Sequence, residues 1–147
     1  MFCEYKIVDY GLLDKIITIS KRIVLKFQVY FGIHMRMWMV NPRIMCRQHL
    51  LGEHAEIHMF IGTINRGKSV KGYLEKGLLE VHNLYNRHED LVKEMKQRKY
   101  NHCSEINKKW KFVEKVGIID KEKNLNELNS RCSKCEKRHS KFVDNKL

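Results

Sequence analysis

The chain has one proline in 147 residues, no uninterrupted apolar run of membrane-spanning length, and no even, regularly spaced set of cysteines. Each absence excludes something. A single proline, alongside 43% apolar residues, argues against a disordered linker protein. A membrane helix needs roughly 18–20 apolar residues in succession. The oiliest stretch, residues 16–33, is interrupted by Lys21, Arg22 and Lys26. Glu4, Asp9 and Asp14 precede it, whereas a secretory signal begins with basic residues. Five cysteines (Cys3, Cys46, Cys103, Cys132 and Cys135) at irregular spacing make a poor disulfide framework and suit a reducing compartment. No internal repeat is present. The expectation is a soluble, intracellular protein with no membrane partner.

Acidic residues are also scarce relative to basic ones, and the formal net charge is +12. The excess is spread over the chain: +2 in residues 1–34, +5 in 35–102 and +5 in 103–147. Such a balance favours polyanionic partners, nucleic acid ahead of a membrane surface. The length suits one domain with tails.

Residues 12–18 could start a helix, and 23–31 mix branched and aromatic residues in a strand-like way. Asn41-Pro42 then punctuates the chain, because proline favours the first turn of a helix and disfavours helical geometry in the residue before it. The spacing predicts a helix from there to about Phe60. Four glycines (Gly62, Gly67, Gly72, Gly77) make residues 62–77 a loop with at most a short helical turn. Val81, Leu84, Tyr85, His88, Leu91, Val92 and Met95 keep three-and-four spacing and predict a second long helix over about 80–99. The lysine-rich tail after Asn101 has Trp110, Phe112 and Val113 as its apolar anchor, and a short helix is expected near 125–131. The fold class is therefore mainly α: a small single-domain bundle of two long helices plus shorter ones. Its parts are an N-terminal extension (1–34), a helical domain (35–102) and a basic tail carrying Cys-x-x-Cys (103–147).

At 100° per residue, His49, Gly52, Glu53 and Glu56 share one face of the first helix. A solvated polar strip is the ordinary explanation of such a face. Gly52 costs about 1 kcal/mol relative to alanine inside a helix. Room for another backbone, a ligand or a chain terminus would offset that cost.

Gln48-His49-Leu50-Leu51-Gly52-Glu53-His54-Ala55-Glu56-Ile57 resembles the segment Gln-His-Leu-Met-Ala-Glu-Tyr-Arg-Glu-Leu of the pyrimidine-dimer DNA glycosylase/AP lyase family of the T-even phage endonuclease V type. Gly67-Lys68-Ser69-Val70-Lys71 is similar to its Gly-Lys-Arg-Val-Arg loop. Gln97-Arg98-Lys99-Tyr100-Asn101 is similar to its helix ending Lys-Arg-Gly-Phe-Asn. The three matches occur in the family's order and cover about half the chain. The resemblance implies repair of duplex DNA containing damaged, dimerised pyrimidines by a monomer without a cofactor. It also implies that the nucleophile is an N-terminal α-amine partnered by the carboxylate matching Glu56. An α-amine has a pKa of about 7.7–8.0 against about 10.4 for lysine, so more of it is unprotonated at neutral pH.

Counting back from Glu56 without gaps puts the family's terminal amine on Met35. The expectation is then a functional product beginning at Met35. Arg36, Gln48 and His49 match DNA-contacting positions of the family. Charge and position add Arg43, Arg47, Arg66, Lys68 and Lys71. The family's basic residues are absent at Ala55 and Met59, and its helix-ending glycine is Lys99 here.

Three other patterns compete. Gly62 through Ser69 satisfies the phosphate-loop pattern, and residues 116–120 could pass for its partner strand. That loop needs a buried strand before it, which Glu53, His54, Glu56 and His58 oppose. His54 and His58, four apart, could share a metal, but the order His-Glu-x-x-His is not met. Cys132 and Cys135 form half of a structural zinc site, with His139 as a third ligand and His102 or Cys103 as a fourth. The rivals to a repair enzyme are a non-catalytic basic DNA-binding protein on the same scaffold and, less favoured, a nucleotide-binding phosphate-loop protein.

Overall fold

A computed structural model describes residues 35–145. The readings made for residues 12–18 and 23–31 lie outside the described residues. Met35–Leu147 forms one compact unit, so the lysine-rich C-terminal third belongs to the same body as the central helices. Five α-helices build it, and no strand occurs among the described residues. They are α1 (Arg47–Asn65), α2 (Lys71–Glu75), α3 (Leu84–Gln97), α4 (Lys121–Arg131) and α5 (Ser133–Asp144).

Pro42 starts a 3-10 turn, Pro42–Ile44, rather than the long helix itself. Met45 and Cys46 are extended, and α1 begins at Arg47. At its far end α1 passes the expected stop at Phe60 and continues through Gly62 to Asn65. The real stop is Gly67, whose φ of 65° closes the helix. Its N–H donates to the Ile64 carbonyl, and that of Lys68 to the Thr63 carbonyl, which is the Schellman closure.

The second long helix also starts later than its apolar pattern suggests, because Val81–Asn83 is a 3-10 turn and α3 starts at Leu84. Its buried stripe contains the expected Leu84, Tyr85, His88, Leu91, Val92 and Met95. It also contains Arg87 and Glu94, whose charges are paired internally. Arg98, just past the helix, binds Glu94 and donates to the carbonyls of Met45 and Pro42, tying α3 to the proline turn.

α1 and α3 pack together around Leu50, Ile57, Phe60, Leu84 and Leu91, all fully buried. Trp110 is buried on the 3-10 turn Lys108–Phe112 and Val113 is half-buried, but Phe112 is 86% exposed and anchors nothing. After it, the Val116 carbonyl accepts from Val81 N–H, and Ile119 N–H donates to buried Glu80. Gly117 between them has φ 87°, and a Cβ there would sit 2.1 Å from the Leu79 carbonyl oxygen. Only glycine permits that approach. α4 and α5 pack on each other, and α5 covers the proline turn. Asp120 caps α4 through Lys123 N–H, and α5 has no counterpart in the helices expected from the sequence.

Candidate active site

The site is built where an irregular segment, residues 35–40, lies against α1. A segment outside helix and sheet leaves its backbone groups unsatisfied, and burial makes that costly. Here side chains satisfy them. Arg36 N–H donates to Glu56 Oε2 at 3.2 Å. Trp38 and Met39 N–H donate to Glu53 Oε1 at 2.9 and 3.3 Å. Asn124 of α4 donates to the carbonyls of Met37 and Trp38, and Arg87 of α3 donates to that of Val40. Met37 N–H completes the set on the Leu78 carbonyl. Three helices therefore hold the segment by its backbone.

Glu53 is the centre of this clamp. It is buried, and Arg87 grips it with both arms, Nε to Oε1 at 2.8 Å and Nη2 to Oε2 at 2.7 Å. Spacing in the sequence placed Glu53 on the polar strip and did not single out Arg87. The available signal was a basic residue inside an apolar stripe.

Glu56 is half-buried and sits one turn further along. Burial pushes its carboxyl up to about 7, and the Arg36 N–H only partly opposes that. The nitrogen of Met35 is three bonds before that of Arg36, no more than about 4 Å from it. Gly52, on the same helical face as Glu56, is exposed, and a Cβ added there would meet nothing within 4 Å. Among the described residues, none packs on that spot.

The basic residues singled out from the sequence divide into groups. Arg43, Arg47 and Gln48 are exposed at the start of α1, with Arg47 over the Tyr100 ring at 4.7 Å and Arg43 over Phe142 at 5.0 Å. Arg66, Lys68 and Lys71 are exposed beyond its other end, where Lys71 pairs with Glu75. At 1.5 Å per residue, Arg47 and Arg66 stand about 28 Å apart with Glu56 near the middle. Arg36 and His49 are placed differently. The Arg36 guanidinium pairs with Glu127 of α4 at 2.7 Å and stacks on Trp38. His49 turns its Nδ1 towards the thiols of Cys46 and Cys135, at 3.2 and 3.6 Å.

Two groups of side chains bring metal-ligating atoms within 4.8 Å of one another: Cys46, His49, Cys132 and Cys135, and His54, His58 and His88. Neither contains His139, whose Nδ1 pairs with Asn129, nor Cys103. In the histidine group, burial and then the neighbouring imidazoles push His54 down to about 3 and His58 to about 4, so both are neutral at physiological pH. The phosphate-loop pattern forms the C-terminal end of α1 and its closing turn, with a helix instead of a strand before it. A phosphate there would face the negative end of the helix dipole.

Residues 35–108 match the family model described as pyrimidine dimer DNA glycosylase. No curated protein and no solved structure matches the chain.

Proposed function

Because the chain belongs to the pyrimidine dimer DNA glycosylase family, we propose that it excises dimerised pyrimidines and then nicks the strand, through an amine and Glu56. The reading rests on one contact above all, the Arg36 N–H on the Glu56 carboxylate, which brings the residue-35 nitrogen into the neighbourhood of that acid. While residue 34 is attached, that nitrogen is an amide and no nucleophile. The reactive form is a product beginning at Met35, the first residue of both the family match and the compact unit.

In that product the unprotonated α-amine attacks the sugar C1′, and the bond from C1′ to the base breaks with its electron pair leaving on the base. The amine loses a proton as the sugar ring opens, and a cationic imine forms between nitrogen and C1′. Removal of a C2′ proton expels the 3′ phosphate by β-elimination, and water then releases the imine. A carboxyl titrating near 7 suits Glu56 both to move these protons and to stabilise the imine's charge. The exposed cations Arg43, Arg47, Arg66, Lys68 and Lys71, with Gln48, are proposed to hold the phosphates on either side. A damaged, poorly stacked base lowers the cost of extruding a nucleotide to reach C1′.

Borohydride trapping on a dimer-containing duplex tests this. The Met35-start product is expected to form a covalent adduct and nick the strand, and the full-length chain to do neither. Glu56→Gln in the short product should lose about 100-fold or more of nicking with duplex affinity nearly unchanged. Normal nicking by Glu56→Gln would remove the mechanism. Duplex binding without an adduct from the short product would leave a non-catalytic DNA-binding protein.

A further inference from the structure

We propose that Cys46, His49, Cys132 and Cys135 form a closed, tetrahedral zinc site that ties the start of α1 to the junction of α4 and α5. The four ligand atoms come from distant parts of the chain and lie within 4.8 Å of one another. With Zn–S of about 2.3 Å and Zn–N of about 2.0–2.1 Å, a tetrahedral ion sets S–S edges near about 3.8 Å and S–N edges near about 3.6 Å. The Cys46 and Cys132 sulfurs are 3.9 Å apart. His49 Nδ1 is 3.6 Å from the Cys135 sulfur and 3.2 Å from that of Cys46. Three thiols and one imidazole thus occupy corners of a polyhedron of the right size, and all three cysteines are free of disulfides.

Cys46 N–H donates to the Cys135 sulfur at 3.2 Å. Such a donor orients the sulfur towards the other ligands. Two ligand pairs with two-residue spacing, Cys46-x-x-His49 and Cys132-x-x-Cys135, each lie at the N-terminal end of a helix. Four protein ligands leave no position for water or substrate, so the site is structural. It joins two regions 86 residues apart in the chain. This assignment stands apart from the proposed repair chemistry, because none of its ligands is Glu56 or Met35.

Metal analysis of the full-length chain, purified without chelator and supplied with zinc, should find an equivalent of zinc that Cys132→Ser/Cys135→Ser lacks and His139→Asn keeps. Cobalt substituted for zinc should show tetrahedral d–d absorption with thiolate-to-metal charge transfer, absent from that double variant. If the double variant fails to fold, alkylation of the wild type decides. Protection of three thiols, released by a chelator, supports the site. Three thiols that react equally with and without chelator overturn it. So does zinc content unchanged in a folded double variant, or a cobalt spectrum without thiolate bands.

Discussion

Glu53 and Glu56 stand three residues apart on α1, and the fold treats them in opposite ways. Around Glu53 the protein gathers four donors: two from Arg87 and the N–H groups of Trp38 and Met39. Around Glu56 it provides one backbone N–H and enough burial to push the carboxyl up to about 7. A carboxylate saturated with donors serves as an anchor. One left short of donors keeps a proton affinity near neutrality, which proton transfer at physiological pH requires. The lesson is that the anchor supports the reactive group. Glu53 and Arg87 hold the segment by residues 38–40, and that fixes where the Arg36 N–H meets Glu56.

The largest expected effect breaks this contrast at its anchor. Glu53→Ala leaves the Arg87 guanidinium buried without a counter-charge, and the expected loss is about 3–5 kcal/mol of unfolding free energy. Urea denaturation of the Met35-start product measures it. Glu53→Met with Arg87→Leu removes both charges at once, so it should cost much less. If Glu53→Ala unfolds no more easily than Glu56→Gln, the two carboxylates are not anchor and reactant.

A smaller effect sharpens the contrast through pH. The Glu56 carboxyl titrates near 7 in the folded chain and near 4.5 when exposed, so the folded state binds its proton more tightly. Its contribution to stability is full below about pH 4.5 and is lost as pH rises through about 7. Glu56→Gln cannot lose it. The variant and the wild type should therefore be similar in stability near pH 4.5. At pH 8 the variant should be more stable by about 1–3 kcal/mol, after allowing for partial exposure of the group. A stability difference that does not change with pH would show that burial does not strain this acid. In the Met35-start product the nearby ammonium should move the Glu56 midpoint down from that of the full-length chain, and titration of the two forms compares them directly.

Much of this was legible in the sequence because it is written in local patterns. The mainly helical class and the α3 stripe follow from spacing along single helices, whereas Glu56 was singled out by the resemblance to the family. Glycine spacing showed where chain direction changes, but not which glycine stops a helix. Gly62 is helical, while Gly67 and Gly77 close helices with positive φ. What escaped is the long-range pairing: Arg87 with Glu53, Asn124 with the Met37 and Trp38 carbonyls, and Cys46 and His49 with the pair Cys132 and Cys135. Each joins residues 34 to 89 positions apart, and no periodicity within one helix encodes a partner that far away. Cys132 and Cys135 stood out as a pair in the sequence, and the structure groups them with Cys46 and His49, while His139 pairs with Asn129.

The smallest expected effect lies at the ends of the helices. α1, α2 and α3 close in the same way, with Schellman hydrogen bonds at Gly67, Gly77 and Lys99. Two of these positions have the residue that tolerates positive φ. The third is lysine, held at φ 59°. Yet the closure is complete there, since Lys99 N–H donates to the Lys96 carbonyl and Tyr100 N–H to that of Met95. The cost of the left-handed conformation is about 1–2 kcal/mol for a residue with a Cβ. Glycine removes it but adds disorder to the unfolded chain. Lys99→Gly should therefore stabilise the protein by about 0.5–1 kcal/mol, seen as a higher urea midpoint at unchanged slope. Gly67→Ala should move the midpoint the other way. If Lys99→Gly lowers it instead, the lysine side chain contributes more than its backbone costs, and the three helix ends are alike only in their hydrogen bonds.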